Sequence, residues 1–184
     1  MNQSKNRAKR AAVCGILSAM TVVLLYLGNL TGVLDLSAIV LCAVITMILK
    51  VEMGGSAYPW LYIAVSGVLA LVLLPSKLMA VEYILVAGIY PLVKAVFEKL
   101  HPVFSWGLKV SVLVCMVLLE ILVSRFIFVS EEARIDFTLP AILLSVVFAV
   151  IYDIALSVVI SSYILKIRKK LGFKKLFCKK EKAQ

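Results

Sequence analysis

Histidine is almost missing from this chain. His101 is the single one in 184 residues, which excludes a multi-histidine metal site. It precedes Pro102 in a predicted loop, where a solvated turn residue suffices. Cysteine is sparse and scattered. Cys14, Cys42, Cys115 and Cys178 lack metal-ligand spacing, and three of them fall in apolar stretches, so neither a metal centre nor a disulfide framework is expected. There is no glycine-lysine phosphate loop, no nucleophile elbow, no HExxH and no clustered aspartate motif. Neither an enzymatic role nor a cofactor follows, and any ATP-driven process would need a separate ATPase. Soluble domains, long linkers, low-complexity tracts and internal repeats are also lacking.

What the chain has in abundance is apolar surface. It is 63% hydrophobic with a mean hydropathy of +1.07, more than the interior of a soluble domain of this size can enclose. The fold class expected is all-α, a single polytopic membrane domain built as a bundle of six transmembrane helices. A crossing needs about 20 mainly apolar residues, and the spans read as 11–28, 36–50, 57–74, 78–97, 106–129 and 138–165. The first is too long, and lacks the cleavage site, for a secretory leader, and reads as a signal anchor.

Basic residues outnumber acidic ones, 20 to 10, but they sit at the chain ends. Four lie in the first ten positions and nine from Lys166 to Lys182. Clusters beside apolar spans orient a membrane protein and attract anionic lipid; they are not a folded nucleic-acid surface. With both termini cytoplasmic, the external connectors hold only Lys77 and Arg134 as bases. Lys94–Ser105 reads as an internal connector and acidic Ser130–Phe137 as an external one. Leu171, Phe173, Leu176 and Phe177 interrupt the basic tail, which reads either as a membrane-surface helix or as a solvated anchor. Trp60 and Trp106 fall at predicted boundaries, as belt aromatics do.

Ionisable groups inside a span need a partner, water or a route to the interface. Glu82 lies about 7 Å, and Arg125 about 6 Å, below the predicted outer surface, at matching depth for pairing. Glu120 lies deeper in the same half. With Asn29 and Tyr83 these residues form the candidate substrate-binding set, against the alternative of an internal ion pair with a snorkelling arginine. Asp153 occupies the middle of a seam, Ser145, Ala149, Asp153, Ser157 and Ser161, and reads as a helix-packing acid with Tyr152 beside it. Pro91, after Gly88-Ile89-Tyr90, is expected to kink the fourth span.

The first span carries small residues at spacing four, Ala11, Gly15 and Ala19, directly after Arg10. Such a face admits close helix approach. With six spans in about 180 residues and cytoplasmic ends, the chain resembles the substrate-binding S component of energy-coupling factor transporters. The resemblance covers the architecture of nearly the whole chain, but its motif is small-xxx-small-xxx-small rather than a strict alanine pair. It implies a multi-pass protein of the bacterial cytoplasmic membrane that captures a vitamin-like small organic micronutrient in a pocket near the outer face. It further implies docking through Ala11, Gly15 and Ala19 to a coupling transmembrane subunit with ATPases. No amino-terminal histidine is present, so a metal substrate is not expected. The rival reading is a non-transporting scaffold or assembly protein of the bacterial envelope, in which buried charges only lock helices. A small secondary transporter lacks support, because no repeated halves or paired broken helices are present. The sixth-span seam also offers itself as an internal receptor for the first-span face.

Overall fold

The computed structural model describes the backbone of residues 2–32, 34–54, 56–97, 102–127 and 139–167, and the side chains of 7–32, 34–54, 56–97, 106–119, 122–123 and 144–165. The described chain is helical throughout and forms six rods. These are α1 (Asn2–Thr31), α2 (Asp35–Met53) and α3 (Tyr58–Leu73), then a composite rod of α4 (Lys77–Glu82), a π-helical segment (Tyr83–Ile89) and α5 (Tyr90–Phe97). The last two are α6 (Pro102–Ile127) and α7 (Leu139–Ser162), the latter continued by a π turn, Tyr163–Ile167.

Helical period decides which side of each rod turns inward. Cys14, Ser18, Thr21, Val22, Leu25 and Gly28 of α1 are buried, a recurrence of three and four residues that defines one stripe. Tyr62, Ser66 and Ala70 do the same on α3. α1 packs on α2 and α3, the composite rod on α2 and α3, and α7 on α6 and α2. The remaining surface is apolar rather than polar, with Val72 70%, Leu144 69% and Ile16 63% exposed. Water would not tolerate that surface over a whole molecule, whereas lipid does. Four stretches, Arg7–Thr31, Asp35–Met53, Lys77–Phe97 and Leu144–Leu165, are long and apolar enough to cross a bilayer; Tyr58–Leu73 is shorter.

The turns use the expected chemistry. Gly32 and Gly54 both have φ of 63°, a left-handed conformation that favours glycine. Between α3 and α4, Ser76 Oγ accepts the Met79 N–H at 3.4 Å. Lys77 Nζ donates to the Leu71 and Leu74 carbonyls at 2.8 and 2.9 Å, covering oxygens that the end of α3 leaves unpaired. At the α1–α2 corner a Cβ on Gly28 would lie 2.7 Å from Ala38 Cβ, so the two helices meet there with no room for a side chain.

Two boundaries and the placement of Lys94 differ from the sequence reading. α1 extends back through the basic run to Asn2. α6 begins at Pro102, where proline suits a first helical turn. Lys94, read as the start of a cytoplasmic connector, lies inside α5 and is 0% exposed. Its ammonium finds a buried carboxylate, which satisfies it better than that connector position assumed.

Pro91 lies just after the π-helical segment Tyr83–Ile89. The Tyr90 N–H bonds the Leu85 carbonyl, five residues back. In that register residue 91 would serve the Val86 carbonyl, and proline has no N–H to offer. The Tyr152 hydroxyl of α7 donates to Val86 O instead, at 2.8 Å. A side chain from another helix thus replaces the missing backbone donor, as burial demands.

Candidate functional site

Two buried polar clusters hold the rods together. In the first, Thr21 Oγ1 and Tyr62 OH are 2.6 Å apart, and Ser66 Oγ and Tyr83 OH also 2.6 Å. All four residues are 0% exposed. Ser18 and Thr46 bond carbonyls of their own helices at 2.8 and 2.9 Å. These hydroxyls link α1, α3 and the composite rod where water is excluded, so each must find a partner within the protein.

The second cluster is ionic. Lys94 Nζ donates to Asp153 Oδ1 at 2.5 Å, to the Asp153 carbonyl at 2.6 Å and to Ser157 Oγ at 2.7 Å. The Tyr90 hydroxyl donates to the same Oδ1, and Lys109 Nζ stands 3.8 Å from Oδ2. Lys94 is fully buried and Asp153 is 8% exposed. A shallow groove lined by Trp106, Lys109, Val110, Leu113, Val150 and Asp153 reaches this cluster between α6 and α7. The Tyr90 and Tyr152 rings pack at 5.8 Å between centroids. Asp153 therefore joins α7 to α5, as its place in the seam suggested. Neither Lys94 nor Lys109 was singled out from the sequence, yet a signal existed: an acid at that depth requires a cation at the same depth on a neighbour.

Of the predicted binding residues, Asn29, Glu82 and Tyr83 have described side chains. Asn29 is half-buried, its Nδ2 donating to Met79 Sδ at 3.5 Å. Tyr83 faces α3 with its hydroxyl committed to Ser66. Glu82 is half-buried and has a polar or electrostatic partner. The side chains of Glu120 and Arg125 lie outside the described residues, as does the connector Ser130–Phe137. Among the described residues no three His, Cys, Asp or Glu side chains gather as metal ligands.

Ala11, Gly15 and Ala19 are all exposed, and nothing lies within 4 Å of a Cβ placed on Gly15. The stripe one position earlier, Cys14 and Ser18, is the one that enters the bundle. On α7, Asp153 and Ser157 meet α5 and Ala149 packs against the main core. The seam of α7 is thus occupied by α5 and the core, and the small-residue face of α1 remains outward.

Comparison with family models, with curated proteins and with solved structures gives no match.

Proposed function

We propose that this chain is the substrate-binding subunit of an uptake system of the energy-coupling factor type. In this reading six helices cross the bacterial cytoplasmic membrane with both termini inside. The protein binds a vitamin-like small organic micronutrient and docks on a separate coupling subunit driven by ATPases. The observation that carries the reading is the outward face of Ala11, Gly15 and Ala19. Small side chains gain little from lipid contact, but they let a second helix backbone come close. Among the described residues all three are exposed, and nothing lies within 4 Å of a Cβ placed on Gly15. The basic residues at both ends agree with an even number of crossings.

The test is co-purification of the tagged full chain from its native membrane. Gly15→Leu is expected to remove a coupling subunit and its ATPases from the eluate while leaving micronutrient binding intact. Undiminished complex formation would refute the docking face. A scaffold reading draws support from Lys94 and Asp153, a charge pair that locks α5 to α7 with no ligand required. A wild-type protein that no micronutrient stabilises thermally would favour the scaffold, because a ligand that binds only the native state must raise its stability.

A further inference from the structure

The composite rod holds one residue more than an unbroken α-helix would use. Over Tyr83–Ile89 the backbone is π-helical, and the Tyr90 N–H reaches back five residues to the Leu85 carbonyl. A bond of that span encloses one residue beyond the α-helical loop. Seven residues make nearly two α-helical turns, so in a regular helix Tyr83 and Tyr90 would share a face. In this fold they answer different neighbours. The Tyr83 hydroxyl pairs with Ser66 of α3, whereas the Tyr90 hydroxyl donates to Asp153 of α7. The extra residue sets α5 about 100° round the rod from its α-helical position, where Lys94 meets the same carboxylate.

Two registers are open to this segment, and Pro91 marks each by a different carbonyl. In the π register proline leaves the Val86 oxygen without a backbone donor. In the α register the Tyr90 N–H would serve Val86, and the Ala87 oxygen would go without instead. The Tyr152 hydroxyl donates to Val86 O at 2.8 Å, so it covers the carbonyl that only the π register exposes. Next to it on α7, Asp153 and Ser157 take the Lys94 ammonium, which the α register would carry about 100° away. Each of these contacts from α7 favours the π register over the α one.

We propose that Tyr83–Ile89 is a register switch latched by Tyr152: slipping from π to α turns α5 by about 100° and withdraws Tyr90 and Lys94 from Asp153. The second state has its own compensation. Val86 O gains the Tyr90 N–H from within the rod, and Lys94 stands three residues before Phe97, the last residue of α5, within snorkelling reach of the interface. Displacing α7 removes the donor on Val86 and the counter-charge of Lys94 together, so the position of α7 biases the rotation of α5. The device is the same whether the protein is a carrier or a scaffold.

Deleting Ile89 distinguishes a stored extra residue from a required one. The deletion keeps the Tyr90 N–H on Leu85 O and Pro91 over Val86 O, within an α-helix whose two ends face as before. In lipid nanodiscs the full chain lacking Ile89 is expected to melt close to Ile89→Ala. Deletion of Val93, outside the π segment, turns Lys94 away from Asp153 and should melt about 10 °C lower. Equal melting of the two deletions overturns the switch. Rotation is read as the distance between spin labels on Trp60→Cys and Val96→Cys, both at exposed positions, with Cys115 and Cys178 replaced by serine. The otherwise unaltered chain is expected to give one distance, and Tyr152→Phe/Asp153→Asn to add a second population that deletion of Ile89 removes. A distance distribution unchanged by Tyr152→Phe/Asp153→Asn, or a second population that survives the deletion, also overturns the proposal.

Discussion

Lys94→Met removes the ammonium that three acceptors share while keeping most of the apolar stem. Asp153 Oδ1, the Asp153 carbonyl and Ser157 Oγ all lose a donor at 2.5–2.7 Å. The carboxylate is left with the Tyr90 hydroxyl and with Lys109, whose nitrogen is 3.8 Å from the other oxygen. Breaking a buried ion pair by deleting one member costs about 3–5 kcal/mol, because the survivor is a charge without its counter-charge. Lys109 can close part of the gap, so the expected loss is near the lower end, about 3 kcal/mol. Asp153→Asn should cost at least as much, since it leaves two lysines facing a neutral amide. The double variant Lys94→Met/Asp153→Asn removes both charges and should be more stable than either single one. The assay is reversible unfolding in mixed micelles, read as a double-mutant cycle. A coupling energy below about 0.5 kcal/mol, the scatter expected of independent sites, would show that the pair does not act as a unit.

The remaining predictions concern backbone and packing. Tyr152→Phe strips the donor from the Val86 carbonyl and should destabilise by about 1–3 kcal/mol, whereas Pro91→Ala in the same background restores an N–H and recovers much of the loss. Equal losses with and without Pro91→Ala would refute the substitution of side-chain donor for backbone donor. Gly28→Ala forces a Cβ to 2.7 Å from Ala38 Cβ and should cost about 1–3 kcal/mol through overpacking. Gly15→Ala, with open space around it, should leave the melting temperature unchanged or raise it slightly. Equal destabilisation by the two alanines would place Gly15 inside the bundle.

The helical class was legible because it follows from local and compositional quantities. Apolar content beyond what a soluble core can hold, and runs near twenty residues, depend on no tertiary contact. The breaks were legible as well: the gaps between the spans 11–28, 36–50, 57–74 and 78–97 hold the turns at Gly32, Gly54 and Ser76 that separate the first four rods. That Asp153 packs helices could be read from its seam of serines and alanine.

What the sequence alone could not decide is which residue answers which. Lys94 reads as a connector base because it sits near the end of its apolar run; only the approach of α7 makes it the buried partner of Asp153. Pro91 announces a missing N–H, but that Tyr152, sixty-one positions later in the chain, supplies the substitute depends on how α7 crosses the composite rod. Tyr83 and Glu82 are neighbours in sequence and, on a helix, point about 100° apart; Tyr83 enters the hydroxyl cluster with Ser66, and Glu82 is half-buried. The small residues of α1 were visible as a stripe, and the fold determined that Cys14 and Ser18 turn inward while Ala11, Gly15 and Ala19 remain outside. Periodicity gives a helix its faces, but rotation about the helix axis is fixed by the polar groups that must pair where there is no water, and that pairing exists only between helices.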